Sequence, residues 1–93
     1  MLPLSVDPVY PNPFSSQVTV PFTLAEAGEV RISVYDLSGR QIQTITSEEF
    51  AAGAHTVSWE GMDGSGNRVT SGIYFVRVWT DNSTVTRKVV LTR

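Results

Sequence analysis

The chain has 93 residues, 41% hydrophobic and 17% charged, with no cysteine and a formal net charge of −2. That length holds one small domain, the missing cysteines exclude a disulfide framework or a cysteine metal site, and the acidic balance argues against nucleic acid, which needs clustered Lys and Arg. No apolar run approaches the ~18 residues of a membrane-spanning helix, and no basic region followed by an apolar segment marks a signal peptide at the N-terminus, so an export signal is expected elsewhere in a longer precursor.

Residues 1–8 read as a linker remnant carrying a start residue, although a short strand near Leu4 to Val6 also fits; the domain proper is expected from 9 to 93. In "VYPNPF" Pro11 and Pro13 restrict the backbone, Asn12 caps a turn, and Tyr10 and Phe14 are expected to pack as a staple across it. "QVTVPFTL" alternates Val18, Val20, Phe22 and Leu24 on one face. Pro21 lacks a ladder donor, which predicts an edge strand. "VRISVYDL" sets Val30, Ile32 and Val34 against Arg31, Ser33 and Tyr35.

After the turn at Ser38 to Arg40, "QIQTIT" reads as a strand. Asp36 is expected to accept backbone N–H bonds across this turn, which Gly39 allows, and to pair with Arg40. Phe50 is expected to plug one end of the core from a loop, and His55 to face solvent. Trp59 shares a face with Val57 and belongs to the core. A loop with Gly61, Gly64, Gly66 and Gly72 precedes the strand "IYFVRVWT", and "DNS" turns the chain into "TVTRKVVLTR". About seven strands with turn signals every 8 to 12 residues predict an all-β fold, an immunoglobulin-like Greek-key sandwich of antiparallel strands.

Catalysis finds no support: His55 is the one histidine, with neither a nucleophile elbow nor zinc-ligand spacing around it. "DGSGN" at Asp63 to Asn67 superficially matches a calcium loop but lacks the downstream Glu, and Asp, Asn and Gly make ordinary turns. No metal or cofactor is expected. "NST" at Asn82 to Thr84 fits a glycosylation sequon, and the hairpin turn explains it sufficiently. Arg77 places the odd-numbered face of its strand outward, so Phe75 and Trp79 form an aromatic strip there, a possible carbohydrate platform unless loops or linker cover it. Arg77, Arg87, Lys88 and Arg93 face a single acid, Asp81, from residue 77 onward, against three basic and eight acidic residues before it. This is a basic island that suits a docking step.

Five motifs in order, "YPNPF", "VYDLSGR", "AGAHTVSWEG", "SGIYFVRV" and "RKVVLTR", closely resemble the C-terminal sorting domains of type IX secretion cargo. The same profile is similar to the immunoglobulin-like module of the flagellar hook-capping protein. The first resemblance implies an address label at the end of a secreted protein, read by outer-membrane secretion machinery and commonly cut off by a surface sortase. Cargo would then pass through the periplasm to the medium or the cell surface. It further implies recognition toward the C-terminal end, at Gly72, Tyr74 and the last strand with Lys88 and Arg93, where the basic island also lies. The alternative is an accessory immunoglobulin-like module, either a carbohydrate binder or a structural spacer.

Overall fold

A computed structural model describes residues 4–93. Seven strands run in chain order: β1 (Leu4–Val6), β2 (Val18–Leu24), β3 (Gly28–Asp36), β4 (Gln41–Phe50), β5 (Gly53–Trp59), β6 (Gly72–Trp79) and β7 (Thr84–Leu91). They form two antiparallel sheets, β1-β2-β5 and β4-β3-β6-β7, with no helix among the described residues. The chain changes sheets after β2, β4 and β5, which gives the immunoglobulin-like sandwich that the alternating pattern predicts.

The core is where the two inward faces meet. Val18, Val20, Phe22 and Trp59 from the smaller sheet pack against Val30, Ile32, Val34, Val76, Val78, Val89 and Leu91 from the larger. Leu4 and Val6 are buried as well, so residues 4–6 are a strand of the smaller sheet. Each of these apolar sets follows period two, the spacing that sends alternate side chains to one face of a pleated strand.

Three expectations change. First, β2 is the central strand of its sheet rather than an edge. Pro21 is tolerated because its ring nitrogen faces the end of β1, where its carbonyl accepts Asp7 N at 3.0 Å and where pairing stops at Val6. The missing donor therefore ends a ladder instead of interrupting one. Second, Phe50 is the last residue of β4, not a loop plug. Its ring meets Phe22 edge-on at 5.3 Å and His55 at 5.0 Å. Third, His55 is half-buried and faces inward, opposite Phe22 and two steps before Val57 in the same period. Its Nε2 lies 2.7 Å from Ala51 O.

Two turns share the pattern Asp-x-Ser-Gly-x, at Asp36 to Arg40 and at Asp63 to Asn67. In the first, Asp36 Oδ1 accepts the amides of Ser38 and Arg40 at 2.9 and 3.0 Å, and Gly39 N donates to Asp36 O. In the second, Asp63 Oδ1 accepts the amides of Ser65 and Asn67 at 2.9 and 3.0 Å, and Gly66 N donates to Asp63 O. Gly39 and Gly66 sit at φ 91° and 84°, in the left-handed region. The Oδ1 atom of Asp63 thus serves its own turn, and that turn accounts for the calcium-like spelling.

No atom lies within 4 Å of a Cβ built on Gly39, so Gly39→Ala meets a torsional cost alone. It should destabilise the domain by about 1–2 kcal/mol, with Gly39→Asn milder, in urea unfolding. The Ser38 hydroxyl, at 2.6 Å, followed by the Arg40 amide, holds the Asp36 carboxyl below the usual carboxylate range. A lowered acid stabilises the fold above its unfolded-state value and loses that contribution as pH falls through the folded-state value. The stability gap between the wild type and Asp36→Asn should therefore close on acidification. A gap unchanged from neutral to strongly acidic pH would remove the charge from the explanation. The Arg40 ion pair at 3.5 Å adds little, since the arginine side chain is 79% exposed.

Candidate functional site

The register fixes which end of the sandwich carries what. Leu4 pairs with Leu24 and Leu24 with Gly53, so the N-terminal end lies beside the turns after β2 and β4. Gly72 pairs with Leu91, and Asp36 with Tyr74, so the C-terminus leaves at the opposite end, among the Asp36 and Asp63 turns. Gly64 N donates to Ile42 O at 3.0 Å and docks the second turn beside the first.

The six residues expected to form a recognition hairpin divide by where their side chains go. Tyr74 is buried, meets the Trp59 ring edge-on at 5.1 Å, and donates its hydroxyl to Thr70 O at 2.7 Å. Arg87 points inward across the sandwich and donates Nη2 to Val6 O at 2.6 Å, tying β7 to β1. Arg93 staples the glycine-rich loop, donating Nε to Val69 O at 2.9 Å and Nη2 to Gly61 O at 2.6 Å. A Cβ on Gly61 would meet that guanidinium, the far end of a side chain that can swing aside, so it is the φ of 71° that calls for glycine here. Gly72 opens β6 at φ 157°. Only Arg77 and Lys88 of the six present charged side chains on the outer face of the larger sheet.

Phe75 and Trp79 lie on that outer face and are half-buried. Arg31 stacks over Trp79 with its Cζ 4.9 Å from the ring centroid, Arg77 stacks over Tyr35 at 5.0 Å, and Phe75 stands between Tyr35 and Lys88 in the cross-strand register.

The "YPNPF" segment does something the sequence did not announce. The side chain of Asn12 donates Nδ2 to Lys88 O at 3.0 Å and accepts from Val90 N at 2.9 Å on Oδ1, imitating the backbone of a neighbouring strand. Phe14 N then donates to Val90 O, and Thr92 N donates to Phe14 O. Residues 12–14 thereby cover part of the free edge of β7, and a covered edge is protected from pairing with another chain. Pro11 and Pro13 are exposed, each preceded by a cis peptide bond. Tyr10 is 54% exposed, whereas Phe14 is buried with Trp59 as its ring partner at 5.6 Å, so the staple expected between Tyr10 and Phe14 is replaced by a plug into the core. Trp59 in turn donates Nε1 to Met62 O and to Gln43 Oε1. Asn12→Ala should cost about 1–2 kcal/mol in chemical unfolding, the loss of two hydrogen bonds at an exposed edge. A neutral result would mean that water replaces the amide at no cost.

The model of the secretion system C-terminal sorting domain family matches residues 8–92. The chain belongs to that family. Among solved structures, latent PorU of Porphyromonas gingivalis superposes at TM-score 0.77 with 16% identity, covering 96% of this sorting domain and 9% of PorU, a likeness of fold. PorZ, described as an essential surface component of the type IX secretion system of the same organism, gives TM-score 0.65 at 26% identity, over 96% of this chain and 12% of PorZ. The basal-body rod modification protein FlgD of Salmonella typhimurium is 30% identical over 71 residues. That match takes in 76% of this chain and only 28% of the length of FlgD. The domain is a secretion-sorting module, and such a module implies a parent cargo protein, destined for secretion or the cell surface, and a secretion machinery.

Proposed function

We propose that this domain is a non-catalytic address label, carried at the C-terminal end of a larger secreted protein and read by the type IX machinery. The machinery moves the cargo from the periplasm across the outer membrane, and a surface sortase then releases the label or exchanges it for a surface anchor. The observation that carries this reading is the match to the sorting family over nearly the whole chain. Topology supports it: cargo joined before Leu4 sits at the N-terminal end of the sandwich, and the opposite end and the outer face of the larger sheet stay accessible. Of the expected recognition residues, Arg77 and Lys88 are the ones available to a partner; Gly72, Tyr74, Arg87 and Arg93 shape the hairpin that presents them. The engagement of His55 by Ala51 O and two aromatic rings fits a module without chemistry of its own.

The test fuses residues 1–93 behind an exported reporter in a cell with type IX secretion. The reporter should reach the medium or the surface, and its retention in the periplasm with the domain folded would refute the proposal. The relationship to FlgD favours one second reading, a structural spacer of the hook-cap kind. A spacer works at any position in its parent, so moving the domain from the C-terminus to an internal site separates the two: sorting is lost on relocation and spacing is not.

A further inference from the structure

The outer face of the larger sheet has an arrangement that a generic sandwich does not need. Cross-strand register places Arg31, Trp79 and Thr84 in one row, Ser33, Arg77 and Thr86 in the next, and Tyr35, Phe75 and Lys88 in a third. Arg31, Arg77 and Lys88 therefore occupy the diagonal of a three-by-three grid. Each step moves one strand across and two residues along, about 8 Å between successive Cα positions from ordinary sheet spacings.

All three cations are exposed, and among the described residues the one ion pair is Arg40 with Asp36, so none of the three has a carboxylate partner. They are three of the seven basic residues in a chain of net charge −2. Stacking on Trp79 and Tyr35 holds the two guanidinium groups in place, which lowers the entropy lost when they bind. Glu29 and Glu49, paired across β3 and β4, bound the row on the side of the N-terminal end.

We propose that this face binds an extended acidic segment of a partner protein, its carboxylates seated on Arg31, Arg77 and Lys88. Carboxylates at alternate residues of an extended chain share one face with a step of about 6.6–6.8 Å, and the long basic side chains absorb the difference from the diagonal. A protein segment fits better than a sugar, because guanidinium groups already stack on Trp79 and Tyr35, two of the three rings on which a pyranose would rest. The inference gives the partner chemistry of the surface assigned above to Arg77 and Lys88 and rests on the sorting reading only for its role in the cell.

The experiment titrates the isotope-labelled 93-residue chain with a ten-residue oligoglutamate peptide and, separately, with polygalacturonate, following amide resonances. The peptide should shift amides of β3, β6 and β7 in the three rows. Its affinity should fall at least tenfold in the triple variant Arg31→Gln, Arg77→Gln, Lys88→Gln, and comparably between 50 and 500 mM salt. Lys88→Glu touches neither stacked ring, so it keeps the test open if the triple variant does not fold; it should weaken the peptide several-fold. Shifts elsewhere, no shifts, or equal affinity in Lys88→Glu would overturn the proposal, and tighter binding of polygalacturonate to the same rows would replace the peptide with an anionic glycan. Because every readout uses the purified domain, failure of a reporter to be exported leaves this result standing, and loss of peptide binding leaves the export result standing.

Discussion

Phe14→Ala should lower the free energy of unfolding by about 3–5 kcal/mol, read as a fall in the urea midpoint at unchanged slope. The ring is 2% exposed and rests on Trp59, which itself contacts Tyr74, so truncation opens a cavity in an aromatic stack that joins the start of the chain to β5 and β6. A domain of 93 residues has roughly 5–14 kcal/mol in total, at about 0.05–0.15 kcal/mol per residue. The substitution thus removes between about a fifth and all of it. A loss below about 1 kcal/mol would mean that the segment is a surface strap and that the ring can be spared.

Removing Lys88 to Arg93 should leave the chain unfolded, seen as collapse of amide dispersion and loss of β-sheet circular dichroism. The deletion takes away Val89 and Leu91, 0% and 1% exposed, worth about 1.5–3 kcal/mol each in burial. It also removes the partners of Asn12 and Phe14, the Arg93 staple on the glycine-rich loop, and the strand paired with the first half of β6. Failure of such a truncation to be exported therefore reports folding before it reports recognition. Point substitutions at Arg77 and Lys88 separate the two, because both side chains face solvent. A folded truncation would show that β7 is not integral to the sandwich.

Period-two alternation made the strands legible: Val30, Ile32 and Val34, or Tyr74, Val76 and Val78, leave no other reading of their segments. The same rule, carried two steps back from Val57, places His55 inward, but a lone polar residue beside a turn reads more readily as exposed. Pro21 misled because the sequence shows that a donor is missing and not which neighbour it would have met; only the three-residue length of β1 resolves that. The paired Asp-x-Ser-Gly-x turns stand in the chain as a repeat; comparing the second with a calcium loop, a match that fails for want of the downstream Glu, left its likeness to the first unread. Long-range side-chain contacts had no local signal at all. Nothing within "YPNPF" says that Asn12 bonds to a strand 76 residues away, and although the period of Val89 and Leu91 sends Arg87 inward and Lys88 out, nothing near Arg87 names Val6 as its partner.

The bonds from Asn12 and Phe14 to β7 span 76 to 78 residues, nearly the whole chain. Contacts so distant in sequence form late, since the entropy of closing the intervening loop is lost before they contribute. Until its final residues have been made, the domain lacks the strand that its opening motif grips. Folding is in this way a test of completeness: a chain that stops before β7, or is still being synthesised, carries no finished sandwich.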